Sequence, residues 1–535
     1  MKHSTGAVSS QVSEGSIITL QTYSLAGKEK DHMSLMGIDA GTTGCKAAVF
    51  AEDGRLLNLA YREYDYQRPQ PGWAELDTFQ VWEDVKETIR EAAAGLERDP
   101  ITALAVSSLG EAVVPLSAKG EMLGPSILNF DTRGVEYEPA LFQAIGDERL
   151  YRINGNRMSH THTLPKLMWM KEHQPGLFKR VDRFLLWGGF ISHQLGAQPF
   201  VDYSLANRTL LFDIDRLDWS DDLLELSGLD RSKLPPLVPS GESVGKVSKA
   251  GATELGLPEN ISIVAGAHDQ CANAVGCGVI DDGQAVYGMG TFHCITPVFS
   301  RRFPDKAMLN LGLNTEHHAV PGKLVTFIYN QGGSLVKWFR EVFTAEEHRQ
   351  ARSAGKDIYE ILFQEISAGA GKILVLPHFA PTGPPHFIND SCGVILGLSL
   401  DTQRGDILKG IVESTAYYLK EVVMSLPEIG LQVNSFRAVG GGSKADIWVQ
   451  ICADIFNRPF IRPTVTEAGT LGAAIIAGVG SGTFSNYSEA VAAMVHEQKT
   501  FEPDQSRQQE YAENFERYRQ LWPLMADYVR DVPIG

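Results

Sequence analysis

Residues Met36–Phe50 read MGIDAGTTGCKAAVF. An apolar run closes on Asp39, a turn of small residues carries Thr42 and Thr43, and a second apolar run follows. Such a stretch is either an ordinary hairpin or a seat for phosphate. Backbone amides in a tight glycine turn form an anion concavity. Glycine lets the main chain come within hydrogen-bond distance of a ligand, and threonine hydroxyls add donors.

Outward from this turn the pattern is strand, turn, strand, then Asp53-Gly54 and a third strand over Arg55–Tyr64. Asp-Gly between apolar runs marks a hairpin. Asp77 stands where an N-cap belongs, with Gln80 three residues on as a weak capping box. A helix is predicted from about Thr78 to Gly95, followed by a buried strand at ITALAVSS, Ile101–Ser108. The order βββαβ is therefore legible from residue patterns alone. Residues 147–240 read as mostly helical with polar loops. ISIVAGAHD (Ile261–Asp269) is another apolar strand ending in an acid, and QAVYGMGTFHCITPVF (Gln284–Phe299) repeats the opening theme of strand, glycine turn with Thr, strand. This echo predicts two domains of similar core meeting near residue 276. Gly440-Gly441-Gly442-Ser443 reads as opening a helix on which Ile447, Ile451 and Ile455 share one face.

The chain has 535 residues, which fits roughly two to four domains. Apolar residues make up 43% and charged residues 21%, ordinary values for a globular protein. A net charge of −17 without a Lys/Arg run argues against nucleic acid and an anionic membrane surface as partners. Any positive potential for a phosphate must then be local, from amides, helix ends or a metal ion. Six cysteines make no disulfide framework, no apolar run reaches membrane length, and a cytoplasmic location is expected. Residues 1–33 lack a signal peptide's apolar centre; they read as a disordered extension, or as translation upstream of a start at Met33 or Met36. The heavily charged stretch Asp504–Arg530 reads as a solvated helix.

Two common phosphate motifs are absent. The P-loop spacing fails, because Gly41 is followed by Thr42-Thr43-Gly44-Cys45-Lys46; the dinucleotide pattern fails at Gly288 and Gly290, because His293 replaces the third glycine. His268, Cys271, Cys277, His293 and Cys294 lack zinc spacing, and free Cys is a common small core residue. SHTHT (Ser159–Thr163) reads as a loop that contacts substrate or is simply a loop. What remains is a pair of Thr-bearing hairpins closing on phosphates from two domains.

Together these stretches resemble the FGGY carbohydrate-kinase family of the actin-like, sugar-kinase superfamily. GIDAGTTGCKAAVF is similar to the family's first phosphate loop, and PGWAELD (Pro71–Asp77) to its Pro-Gly-Trp-x-Glu-x-Asp stretch. GAHDQCANAVGCG (Gly266–Gly278) is similar to the segment with the catalytic Asp, and YGMGTFHCIT (Tyr287–Thr296) to the second phosphate loop. GGGSKADIWVQICADIFNRPF (Gly440–Phe460) with EAGTLGAAIIAG (Glu467–Gly478) resembles the adenosine motif and signature. The resemblance runs from about residue 35 to about 520. It implies an α/β fold of two ribonuclease-H-like domains with a central cleft. The first would span 34–276, with sugar site, first phosphate loop and catalytic Asp. The second would span 277–535, with the second phosphate loop and adenosine site.

The implied reaction moves the γ-phosphoryl of ATP to a hydroxyl of a small sugar or polyol. Asp269 would be the base; its alternative reading is an N-cap. Asp39 would hold Mg²⁺, largely through water. Gly41, Thr42, Thr43, Gly290 and Thr291 would bind phosphates, and Gly441, Gly442 and Ser443 the adenosine side. Glu111 is the main acceptor-binding candidate. Family members carry Arg-Glu (glycerol kinases) or Met-His (xylulose kinases) at this point, whereas this chain has Gly110-Glu111. Loss of the large side chain suggests a larger substrate or another hydroxyl pattern. Gln270 resembles glycerol kinases, while DYSLANRTLLFDI (Asp202–Ile214) and the general length resemble the xylulose-kinase branch. Trp73, Asp131 and Arg133 are candidates for the pocket wall, with packing and a local ion pair as their plain alternatives. The best reading of the acceptor is a ketopentose such as xylulose; glycerol, erythritol and gluconate are alternatives. A catalytically inactive actin-like nucleotide-binding regulator is the rival of another class. A homodimer is left open.

Overall fold

In the computed structural model, residues 33–96 and 98–530 are described. The expected disordered extension falls outside them except for Met33.

The opening stretch folds as read. β1 (Ser34–Ala40) and β2 (Gly44–Ala51) form a hairpin that sets Asp39 opposite Lys46, and β3 (Leu56–Glu63) pairs antiparallel with β2. Helix α1 (Thr78–Ala93) starts at Asp77, whose carboxylate accepts from the Phe79 and Gln80 amides. Gln80 does not close a capping box; its side chain reaches forward to Asp84 (3.2 Å). β4 (Ile101–Ser108) then lies parallel to β1. Far along the chain, β5 (Ser243–Lys246) and β6 (Ser262–His268) complete a six-stranded sheet of order β5-β6-β4-β1-β2-β3, and α2 (Asp269–Gly276) follows directly.

Both faces of this sheet are covered, which explains why its central strands are apolar throughout rather than alternating. Met36, Ile38, Leu104 and Val106 face the α1 side, where Val81, Val85 and Ile89 pack. Leu35, Ala103, Ala105 and Val264 face the other way, against Leu471, Ala474 and Ile475.

The second half repeats the plan. β7 (Gln284–Met289) and β8 (Phe292–Phe299) form the second hairpin. The short strands β9 (Glu316–His317) and β10 (Leu324–Val325) extend it, and β11 (Ile328–Gln331) pairs with β8. After the long helix α3 (Arg404–Ser425) come β12 (Ser435–Val439), α4 (Asp446–Phe456) and β13 (Phe460–Pro463). β12 adds parallel to β7, β13 parallel to β12, and β14 (Glu497–Phe501) closes the edge. In each half, then, three antiparallel strands are followed by two parallel ones on the far side of the first. This is the doubled ribonuclease-H-like α/β architecture.

One element crosses between the halves. Helix α5 (Ala468–Gly480) follows β13 in sequence but packs on β1, β4, β6 and α2 of the first sheet. The approach is backbone to backbone. A Cβ on Gly472 would lie 1.8 Å from the Ala272 carbonyl oxygen, one on Gly276 1.9 Å from that of Ala468, and one on Gly37 1.8 Å from that of Thr470. The glycines of EAGTLGAAIIAG therefore serve this close packing.

Several local expectations are corrected. Residues 147–240 hold five short helices, but also strand pairs at Phe212–Asp213 with Asp218–Trp219 and at Val201–Asp202 with Leu237–Val238. The glycine run does not open the helix: residues 441–444 form a 3₁₀ turn, Ser443 Oγ donates to the Gly440 carbonyl (2.7 Å), and α4 begins at Asp446. The charged C-terminal stretch is two helices, α6 (Gln508–Arg519) and α7 (Leu521–Arg530). Tyr511, Phe515 and Tyr518 are buried in the second half's core, so this segment is packed rather than solvated. Among the described residues, no helix is long and apolar enough to cross a membrane.

Candidate active site

Parallel strands place their carboxyl ends on one edge, and the loops beyond that edge are where α/β sheets gather ligands. Here β1, β4 and β6 bring Asp39, Ser107 and Ala267 into one lateral row, with His268 beside Ser108. Gly110-Glu111 follow β4 and Asp269 follows β6. In the second sheet, β7 and β12 end together, so the Gly290-Thr291 turn and the Gly440–Gly442 run are neighbours. A Cβ on Gly440 would lie 3.1 Å from the Met289 main chain. Gly290, Thr291 and Gly441 are exposed on this edge.

Between the edges lies a cavity of about 890 Å³. It brings together Thr42, Gly110, Glu111, Asp269 and Gln270 from the sequence-based candidates, and adds Arg208, His162, His268 and Asn314. Gly41 and Thr43 stay on the β1–β2 turn outside the lining; Tyr64 ties that turn down by donating to the Gly41 carbonyl (2.7 Å). Gly442 packs on Trp448, its would-be Cβ 3.0 Å from the ring, and Ser443 is buried.

Asp39 accepts from Ser107 Oγ (2.7 Å) and faces Gly469 at the start of α5, while Lys46 pairs with Glu467 (2.5 Å) just before that helix. Burial, opposed by the Ser107 bond and reinforced by the charge of Asp269, raises the Asp39 pKa to about 6. Asp269 opens α2 and is likewise raised to about 6, mainly by burial. Both values lie above the 3.8 of an ordinary Asp. Among the described residues its Oδ1 is buried with no hydrogen-bond partner; His268 Nε2 lies 3.2 Å away without the alignment of a bond. Burial, and then the nearby Arg208 charge, lowers His268 to about 4, so its ring is neutral.

Trp73, Asp131 and Arg133 do not line the cavity. The Arg133 guanidinium lies 4.0 Å from the Trp73 ring and 5.0 Å from that of Trp169. It pairs with Asp131 (2.6 Å) and Glu75 (2.5 Å), and Asp131 also accepts from the Ala74 amide (2.6 Å). The plain reading of packing plus ion pair describes them; the PGWAELD stretch is tied into the domain by this buried cluster.

Gly110 has a physical reason that the sequence did not reveal. Its missing Cβ would lie 3.1 Å from Arg208 Cγ and 3.3 Å from His268 Cδ2. Arg208 and His268 thus occupy part of the space that a side chain at this position would take. Glu111 is held in the left-handed region at φ 61°, costly for a non-glycine residue and common at functional sites. Thr163 Oγ1 pins its carbonyl (2.6 Å). Arg208 was missed. Its one sequence signal is a lone cation inside the apolar run DYSLANRTLLFDI.

The N-terminal domain of the FGGY family of carbohydrate kinases matches residues 34–276, and the C-terminal domain matches residues 284–481. The chain belongs to the FGGY carbohydrate kinases. A xylulose kinase of Bacillus subtilis is 28% identical over 506 residues, covering 92% of this chain and 97% of that one. An autoinducer-2 kinase of Klebsiella pneumoniae is 28% identical over 513 residues, covering 91% and 93%. The crystal structure of a xylulose kinase from Rhodospirillum rubrum superposes with a TM-score of 0.83 at 26% identity, covering 93% of this chain and 99% of that one. A Plasmodium falciparum glycerol kinase with ADP shares the fold, with a TM-score of 0.80 at 19% identity. Like other FGGY kinases, this chain is a phosphotransferase acting on a carbohydrate hydroxyl.

Proposed function

We propose that the protein transfers the γ-phosphoryl of ATP to a hydroxyl of a neutral pentulose, with xylulose the best candidate. The observation that carries this reading is Asp269: an acid at the carboxyl edge of β6, on the cavity wall, with one buried oxygen that has no hydrogen-bond partner among the described residues. An acceptor hydroxyl placed there would donate to Oδ1. As its oxygen attacks phosphorus, the proton passes to Asp269, and the bond to the bridging oxygen breaks to release ADP. The transition state is loose, so the remaining residues position groups and balance charge. Thr42 and the Gly290-Thr291 turn approach the phosphates from the two sheets, and the Gly441–Ser443 turn takes the adenosine side.

Asp39 fits a Mg²⁺ ion arriving with the nucleotide. It is a half-buried carboxylate beside a second acid, a pairing that a cation would relieve. Mg²⁺ keeps several waters and uses one or two carboxylates plus phosphate oxygens. When bound, the ion would neutralise phosphate charge; Asp39 would hold its water shell, and Ser107 would hold Asp39.

Acid groups predominate on the cavity wall, with Glu111, Glu138, Asp147 and Asp269 facing Arg157 and Arg208. That balance disfavours an anionic acceptor such as gluconate, and the named xylulose-kinase relatives favour a pentulose. The test is ADP release from Mg-ATP over D-xylulose, D-ribulose, glycerol, erythritol and D-gluconate. Stimulation by a pentulose above the others supports the reading. No stimulation by any of them, with nucleotide-dependent sedimentation, would favour the non-catalytic regulator instead.

A further inference from the structure

The acceptor side of the cavity contains a cation, Arg208, that lies within DYSLANRTLLFDI and is not among the acceptor-site residues the family resemblance implies. Arg208 caps the short helix Tyr203–Asn207 and enters the space that Gly110 leaves open. Its Nε and Nη2 donate to Glu111 Oε1, the first at 2.7 Å. Its Nη1 donates to Glu316 Oε1 (2.6 Å), which also accepts from Asn314 Nδ2 (2.6 Å). The side chain is only 17% exposed, yet it lines the cavity. A guanidinium has five N–H bonds in a planar fork. Three are used by the two carboxylates, leaving two. Burial works against its charge, and the flanking acids overcome that penalty.

A second side chain stands beside it. His162 Nδ1 lies 3.3 Å from the Ser159 carbonyl, which places the ring proton on Nδ1. Nε2 is then a bare acceptor, and among the described residues it is buried without a partner. Burial, and then the Arg208 charge, lowers this imidazole to about 3, so it stays neutral. Glu316 Oε2 and His268 Nδ1 are unpartnered as well. Native proteins rarely leave buried polar atoms unpaired without a functional reason.

We propose that Arg208 is the specificity-determining cation of the acceptor site. Its two remaining N–H bonds are given to oxygens of a neutral polyhydroxylated acceptor, while His162 Nε2 accepts from one hydroxyl. This rests on the kinase reading above. Gly110 is the structural counterpart of Arg208: the guanidinium enters from a segment 97 positions beyond Glu111 rather than from the residue before it.

The experiment measures KM and kcat for D-xylulose and for 1-deoxy-D-xylulose, together with KM for ATP, in the wild type, Arg208→Lys and Gly110→Ala. Lysine keeps the charge but loses the fork. The added Cβ at position 110 displaces Arg208 by a few tenths of an ångström without touching any charge. We expect KM for D-xylulose to rise about 10–100-fold in Arg208→Lys, matching the usual strength of a charged hydrogen bond. In Gly110→Ala it should rise several-fold, with KM for ATP within twofold in both. Should Arg208→Lys not fold, Gly110→Ala decides alone. An active wild type whose variants keep their acceptor KM within twofold would overturn the Arg208 assignment and leave the kinase reading standing. So would a wild type that prefers D-gluconate to D-xylulose. A wild type that no acceptor stimulates would overturn the kinase reading and this inference with it.

Discussion

Gly472 offers a way to test whether the two halves form one machine. A Cβ there would stand 1.8 Å from the Ala272 carbonyl oxygen and 2.9 Å from the Gly276 amide nitrogen. An unstrained C···O contact is about 3.3 Å, so Gly472→Val must part α5 from α2 by roughly 1.5 Å. Neither neighbour is a flexible side-chain end, so no rotamer change relieves the clash. Overpacking usually costs about 1–3 kcal/mol; with backbone on both sides, the cost here should be about 3 kcal/mol or more. The displacement also reaches the site. Asp269 is the first residue of α2, and Gly469, one turn before Gly472, abuts Asp39. A misplacement of about 1 Å can lower a rate about 10²-fold. Urea unfolding should therefore show lost stability, and the folded fraction should turn over about a hundredfold more slowly. A Gly472→Val protein that unfolds at the wild-type urea concentration with unchanged kcat would refute the argument.

Other outcomes follow from the charges. Asp269 must be ionised to accept a proton, so kcat/KM for the acceptor should fall about tenfold per unit as pH drops below about 6, not below the 3.8 of an ordinary Asp. A raised carboxylate favours its protonated form in the folded state; its stabilising contribution is complete below 3.8 and is lost as pH rises through about 6. A full shift of this size corresponds to about 3 kcal/mol, but a side chain about one-third exposed warrants about 1 kcal/mol. Asp269→Asn should thus be more stable than wild type at pH 8 by that amount, as read by urea unfolding. Arg133→Met leaves Asp131 and Glu75 without their buried partner and should cost about 3–5 kcal/mol in the same assay. Because Arg133 lies off the cavity, the acceptor KM should not change in the folded fraction.

What the sequence made legible was local. Periodicity and turn residues located β1 to β4 within a residue or two, and Asp77 as the cap of α1. The repeated strand–glycine turn–strand theme foretold the doubled architecture. Asp39 and Asp269 stood out because an acid closing a buried strand is chemically conspicuous. The misses all depend on distant chain segments meeting. Nothing near Gly110 shows that Arg208 occupies its space, and nothing in EAGTLGAAIIAG shows that its glycines serve packing on the first sheet. Trp73 and Arg133 were conspicuous residue types, but their partner Trp169 comes from a helix whose placement the sequence does not set. The C-terminal charges masked a stripe of Tyr511, Phe515 and Tyr518 at helical spacing.

The central claim is tested most directly by acceptor-stimulated ADP release from Mg-ATP with D-xylulose, in the wild type and Asp269→Asn at pH 8. General-base assistance contributes about 10²–10⁴-fold. The account predicts a loss of that size in kcat with a folded, nucleotide-binding variant. Turnover of the amide variant within a few-fold of wild type would contradict it.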